Sequence, residues 1–440
     1  MKKFFTSLKN AYKIEELRNK ILITLAFILV YRIGSFIPLP LVNVDVLQQA
    51  ASSGKGGILD LINAFSGGAF GRASILALGI MPYISASIVV QLMGLAIPYL
   101  QKLDKDGESG RKTKTQITRW LTILITLFQA PAYIQTQIMN VQGAIDPSNV
   151  TKFWIIATIL LMTGTVFAMW LGEKITDRGI GNGISILIMA GIMARMPGAF
   201  LQEWVDKVSG GNGGMIMMLI EIVLWLLIIL ASVYLVLAVR QVPVQYARRN
   251  ASGSLEKNVL GARQFLPLKL NASGVMPIIF AQAIMFVPAL LFKNFDSTQT
   301  LATKFSDMSS IPYNALFAFL IIIFTYFYTA ITVPTSKMAD DLKRSNGFIP
   351  GVRPGVETAD YLDKIMSLIT LPGAVFLAGI AIFPAFVMLF DVQQSWALFF
   401  GGTSLLIMVG VAIDTMQQIN AYLLNSHYDG LMDTNSSRRK

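Results

Sequence analysis

Cysteine is absent from this 440-residue chain, and histidine occurs once, as His427. The first absence excludes disulfides and thiol chemistry. The second excludes a His-based metal site or acid–base pair within the apolar part, because His427 lies in the C-terminal tail. Charge is scarce as well: 14% of residues are charged, where a soluble protein carries about a quarter. No G-x-x-x-x-G-K-[S/T] occurs, and Gly54-Lys55-Gly56 is only a glycine-rich loop. No H-E-x-x-H occurs either, so the two commonest signatures of nucleotide and zinc chemistry are missing. Any energy must come from a partner or from the membrane potential, and no cofactor is expected.

What the chain has instead is apolar surface. Hydrophobic residues make up 54% of it, which points to a polytopic membrane protein whose backbone is satisfied inside helices. The apolar run from Ile21 to Ile37 has no small-residue cleavage site and ends in Pro38-Leu39-Pro40. It reads as a span and not as a signal peptide. Ten stretches approach the ~20 residues that a bilayer core requires: 20–38, 75–97, 116–139, 151–171, 183–202, 214–239, 272–292, 311–333, 362–390 and 395–424. Between the first two, 58–70 is too short to span and reads as re-entrant or interfacial. The net charge of +11 reports orientation first. With both ends on one side, that side holds 28 Lys and Arg against eight on the other, which places both termini in the cytoplasm.

The chain repeats itself. Gly79-Ile80-Met81-Pro82-Tyr83-Ile84 returns as Gly274-Val275-Met276-Pro277-Ile278-Ile279. Gly183 to Ile192, GISILIMAGI, returns as Gly402 to Val411, GTSLLIMVGV. Both matches keep their order, about half a chain apart. Five spans per half is an odd number, so the second half enters from the opposite face. The fold class expected is an all-α membrane protein of ten transmembrane helices in two inverted five-helix halves, with a re-entrant helix. The boundaries are a cytoplasmic segment 1–19, a first half 20–202, a second half 203–424 with loops 240–271 and 334–361, and a tail 425–440. Inverted repeats place a functional path near the midplane, at the repeat interface.

The matched positions hold isoleucine. Ile84 corresponds to Ile279 and Ile188 to Ile407; Ile80 and Ile184 lie four residues before Ile84 and Ile188. A spacing of four keeps each pair on one helix face. Six isoleucines from four related helices can form a narrow ring that water wets poorly. Isoleucine is also ordinary membrane-helix filler, and Ile125 and Ile321 are read as helix-exterior examples of it. Among the few ionisable residues inside the spans are Arg32, Glu221 and Asp414. Two isolated carboxylates make a poor relay, so structural pairing is expected for them.

Three loops stand out. Phe65-Ser66-Gly67-Gly68-Ala69-Phe70-Gly71 hinges the re-entrant segment before the second span, as a removable stopper or as an ordinary interfacial helix. Residues 240–270 read as a projecting β-hairpin with a basic tip. Residues 346–355 hold Arg353 in a loop rich in Gly and Pro. Shaped basic loops suit docking of a large acidic or phosphate-rich cytosolic partner.

These stretches resemble the SecY family of protein-translocation channels. The resemblance rests on Tyr31 to Pro38, Phe65 to Ala69, Ala77 to Ser87, Met169 to Glu173, Arg178 to Ser185, Phe348 to Gly355 and Gly401 to Ile407. It implies a non-enzymatic, hourglass-shaped channel in the bacterial cytoplasmic membrane. The pore ring falls on Ile80, Ile84, Ile184, Ile188, Ile279 and Ile407. A plug covers about 58–71, with Ile58, Phe65, Gly67, Gly68 and Phe70. The lateral gate, open to membrane lipids between spans 2–3 and 7–8, includes Ser85, Gln91 and Asn271. Arg248, Arg249 and Arg353 lie on loops that engage the SecA motor or the ribosome. SecE and SecG are the small membrane partners, and signal sequences and nascent polypeptides the cargo. Two rivals fare worse. A secondary transporter needs a polar midplane site where this chain puts isoleucine, and an intramembrane enzyme lacks a catalytic set.

Overall fold

The structure, a computed structural model, describes residues 14–47, 63, 66–145, 149–209, 214–246, 263–293 and 309–436. The helices are α1 (Glu15–Gly34), α2 (Met81–Ala96), α3 (Pro98–Lys105), α4 (Gly107–Tyr133), α5 (Val150–Arg178), α6 (Gly183–Ser209) and α7 (Gly214–Leu237). They continue with α8 (Met276–Lys293), α9 (Ile311–Thr332), α10 (Thr335–Arg344), α11 (Val356–Met388), the short α12 (Gln394–Ala397) and α13 (Gly402–Ser436). Strands β1 (Val239–Tyr246) and β2 (Arg263–Lys269) lie between α7 and α8, and β3 (Gly347–Phe348) precedes α11. A helix lies in each of the ten stretches expected to span. Among the described residues, seven helical stretches are long and apolar enough to cross a membrane. At 16 residues, α2 is short for a span.

The apolar run at 75–97 is helical only from Met81; residues 75–80 are turns and bends with one isolated bridge residue before them. Hydropathy alone cannot separate an apolar turn from an apolar helix. Of the described residues in the re-entrant stretch, Asn63 is helical and 66–70 are turns.

Two compact units emerge: Met1–Gln202 with Val411–Lys440, and Glu203–Gly410. In the first, α4 buries Thr118, Thr122, Thr126 and Ala130 along one stripe of four-residue spacing. Polar side chains survive there because Thr122 Oγ1 and Thr126 Oγ1 each donate to the carbonyl four residues back, at 2.7 Å. The core continues through Tyr133, Ile134, Phe153 and Leu161 to Phe70. A smaller cluster packs Leu17 and Ile180 against Ile419 and Tyr422, which joins the start of α1 to the middle of α13. The Lys20 ammonium donates to the Tyr422 hydroxyl at 2.7 Å in the same cluster.

In the second unit, α9 starts at a Ser310 cap with proline in its first turn and buries Tyr313, Phe317, Ile321, Thr325 and Thr329 on one face. Ile321 is 0% exposed, which corrects its reading as helix-exterior. α7 is apolar apart from the buried Glu221 and Ser232 and leaves Ile216, Leu219, Leu227 and Leu230 uncovered, as a face turned to lipid does.

The expected hairpin is present: β1 and β2 pair antiparallel from Val239 with Lys269 to Gln245 with Arg263. Its tip, with Arg248 and Arg249, lies outside the described residues, as do Ile58 and Phe65. The sequence did not show that β3 adds to the far edge of β1, pairing Gln245 with Phe348 and Tyr246 with Gly347. The loop carrying Arg353 and the hairpin are thus one three-stranded sheet, ordered β2-β1-β3. It rests on Val242, Val244, Leu268, Leu342, Ile349 and Leu362.

Candidate functional site

The repeated hexamers repeat in backbone conformation as well as in residues. Gly79 and Gly274 both adopt the left-handed region, with φ of +52° and +63°, which L-residues with a Cβ enter at a cost. A helix begins two residues later in each case, at Met81 and at Met276. The Ile84 amide donates to the Ile80 carbonyl at 3.1 Å, and the Ile279 amide to the Val275 carbonyl at 3.4 Å. Each isoleucine therefore sits at the same place in the first turn of its helix. In the second pair of runs, Gly183 opens α6 and Gly402 opens α13, but of the two only Gly402 has a positive φ, of +64°.

Within the first unit, the turn before α6 is held from several sides. The Asn182 side-chain oxygen accepts from the amides of Ile184 and Ser185, at 3.1 and 3.4 Å. The Gly183 amide donates to Thr176 Oγ1 on α5, the Ile180 amide to Thr24 Oγ1 on α1, and the Gly181 amide to Gln418 Oε1 on α13. Bare backbone on Gly172 lets α5 approach the Ile184 side chain; a Cβ there would lie 2.9 Å from it. Ile184 and Ile188 thus hang from a turn braced by three helices. Ile80 and Ile407 are buried; Ile84, Ile184, Ile188 and Ile279 are half-buried.

The described end of the re-entrant segment is dense in hydrogen bonds. The Gly68 amide donates to the Asn63 carbonyl and the Gly71 amide to Asn63 Oδ1, both at 2.9 Å. Ser66 Oγ accepts from the Phe70 amide at 3.0 Å. The Tyr133 hydroxyl on α4 donates to the Phe70 carbonyl at 2.6 Å, with the two rings edge to face at 4.8 Å. Of the lateral-gate candidates, Ser85 returns its hydroxyl to the Met81 carbonyl at 3.2 Å. Asn271 accepts from Ser273 at 3.3 Å, and Gln91 is half-buried on α2. Among the described site candidates Arg353 is the most open: its side chain is 87% exposed, with Glu357 at 3.8 Å. Gly351 and Gly355 around it both have positive φ.

A buried charge group escaped the sequence. Lys207 Nζ lies 3.8 Å from Glu203 and 3.6 Å from Glu221, with all three side chains almost wholly enclosed. The same ammonium donates to the Asp391 carbonyl at 2.9 Å, and the Gln393 amide donates to Glu203 at 2.9 Å. Glu221 was expected to be paired, and it is. The stretch read as the fifth span ends at 202, short of Lys207; the helix runs to Ser209. Asp414, the other span carboxylate, is exposed.

A family model described as SecY matches residues 74–416. The chain belongs to the SecY family. It is 41% identical to the protein translocase subunit SecY of Vibrio cholerae, over 95% of this chain and 94% of that one. It is 40% identical to the SecY subunit of Bacillus subtilis, over 97% and 99% of the two chains. The fold is similar to a structure described as that of a protein conducting channel, with a TM-score of 0.63, 18% identity and 92% of each chain covered. It is also similar to Sec61 in a canine ribosome–channel complex from the endoplasmic reticulum, with a TM-score of 0.61, 18% identity and 92% of each chain covered. SecY family membership agrees with the expectations of a largely helical membrane protein and a translocation channel.

Proposed function

We propose that this chain is the pore-forming subunit of a bacterial protein translocase. In this reading it passes unfolded secretory polypeptides across the cytoplasmic membrane and releases hydrophobic helices sideways into it. It catalyses no reaction itself; the cytosolic SecA motor or the ribosome supplies the drive, and SecE and SecG complete the membrane complex. Both termini are cytoplasmic, by the weight of Lys and Arg on that side.

The observation that carries the reading is the conformational repeat. Two left-handed glycines each start a helix and put Ile84 and Ile279 at one place in its first turn. A pore for polypeptides cannot select by coordination, since every side chain must go through. It needs a gasket with non-directional contact, which aliphatic side chains supply. Burying one isoleucine against its neighbours is worth roughly 1.5–3 kcal/mol. A few such contacts hold a ring of Ile80, Ile84, Ile184, Ile188, Ile279 and Ile407 shut, and a partner can still offset them. The plug is the segment ending at Gly71, and Ser85, Gln91 and Asn271 flank the lateral gate. Arg248, Arg249 and Arg353 are the contact points for the motor or ribosome.

The test is idle ion leak through the purified complex in planar bilayers. Asn or Ser at Ile84, Ile188, Ile279 or Ile407 is expected to raise the leak and to relax selection against defective signal sequences. The same change at Ile159, 58% exposed on α5, is expected to do neither. Ring variants as ion-tight and as selective as the parent would reduce the isoleucines to filler.

A further inference from the structure

Two arginines meet at one backbone oxygen. Arg32 Nη1 on α1 lies 3.3 Å from the Gly67 carbonyl, and Arg72 Nη2 lies 3.1 Å from the same oxygen. Arg72 Nη2 also reaches back to the Ser35 carbonyl, at the end of α1, at 3.5 Å. Both guanidiniums lie over the Phe36 ring, at 5.2 and 4.4 Å from its centre. Each side of the contact therefore lends an arginine to a carbonyl of the other. A carbonyl has two lone pairs, and both are taken at Gly67. Such bonds are charge-assisted and stronger than neutral ones, and the aromatic face adds attraction for each cation.

The other side of Gly67 is closed by backbone. A Cβ at Gly67 would come within 3.0 Å of the Gly191 Cα and carbonyl oxygen on α6. With φ at +64°, only glycine takes this conformation without strain. Gly410, which the repeat matches to Gly191, has open space around it. Gly191 is thus a seat that the second copy of the run does not provide.

We propose that Arg32 and Arg72 are positioning residues: a reciprocal clasp that holds segment 66–72 against the end of α1 and Gly191 in the idle channel, and that parts when a polypeptide enters. This rests on the reading of that segment as the plug. Neither arginine is deeply buried, so water can solvate both guanidiniums when the clasp opens. Opening therefore strands no charge, and the clasp can close again.

The absence of cysteine from the chain supplies the test. Ala69, 0% exposed, is replaced by Cys in the complete membrane complex and alkylated from the outer side with an impermeant maleimide. In the idle parent, alkylation is expected to be slow. Arg32→Gln or Arg72→Gln is expected to speed it by about tenfold or more, because a hydrogen bond from a charged group is lost. Arg32→Lys, which keeps a donor, is expected to restore most of the protection. Gly67→Ala, whose Cβ would lie 2.6 Å from Arg32 Nη1 and so push that guanidinium off the carbonyl, is expected to behave as the Gln variants do. Gln variants no faster than the parent, or a Lys variant no better than Gln, would overturn the clasp. A stalled precursor threaded through the parent separates the two claims. If threading exposes Cys at 69 and the Gln variants do not, the clasp falls and the plug reading stands. If the Gln variants expose it and threading does not, the arginines still hold the segment, but its parting on entry falls together with the plug reading.

Discussion

Replacing Lys207 with Met is the sharpest test of what holds the second unit together. The ammonium faces two carboxylates within 4.0 Å, on α6 and α7, and bonds to the backbone at Asp391. Lys207 is 2% exposed and Glu203 0%, so water cannot take over the lysine's role. Removing one partner of a buried pair leaves uncompensated charge, at a cost of about 3–5 kcal/mol. Here two carboxylates are left behind. A triple variant, Lys207→Met with Glu203→Gln and Glu221→Gln, is expected to recover most of that loss, because neutral groups carry no such desolvation penalty. The glutamine at 203 also keeps an oxygen for the Gln393 amide. The assay is reversible unfolding of the purified complex by SDS in mixed micelles, with all variants at one pH. Lys112 and Glu108 share the i,i+4 spacing but have side chains 77% and 84% exposed; breaking that pair is expected to shift the midpoint too little to measure. A Lys207→Met protein within about 1 kcal/mol of the parent, or a triple variant no better than the single one, would refute the argument.

Other outcomes follow from the same structure. Arg353→Glu is expected to stop export of secreted precursors in cells while the protein still accumulates in the membrane, since its side chain is 87% exposed; normal secretion would remove Arg353 from the mechanism. Tyr133→Phe deletes the buried donor to the Phe70 carbonyl and is expected to cost about 1–3 kcal/mol in the unfolding assay, with a higher idle leak. Gly79→Ala and Gly274→Ala place a Cβ in a left-handed conformation and are each expected to cost about 1–2 kcal/mol. Gly379→Ala, in open space on helix α11, is expected to leave stability unchanged or raise it in the same assay.

Much of this molecule was legible in order along the chain. Hydropathy reports which segments leave water, so a helix lies in each of the ten stretches, although some ends differ, by 12 residues at the end of α13. The repeat went further. A glycine two residues before a Met-Pro helix start, present twice, carried a left-handed turn and a fixed place for isoleucine, because both are properties of a few adjacent residues. Residue types and motifs also carried the family.

Tertiary structure alone decided contacts between residues far apart in sequence. Lys207 falls past the stretch read as its span and Glu221 read as an isolated carboxylate, until the fold enclosed them with Glu203 and the Asp391 carbonyl. Spacing can place Glu203 and Lys207 on one helix face, but it cannot say whether water or protein covers that face. Gly347 and Phe348 carry no strand pattern of their own; they pair because β1 offers an open edge. Arg32 read as a lone charge near a helix end, and its carbonyl partner lies 35 residues away. Periodicity describes one segment at a time. Which segments meet, and so which charges are buried and which loops become one sheet, depends on packing over the whole chain.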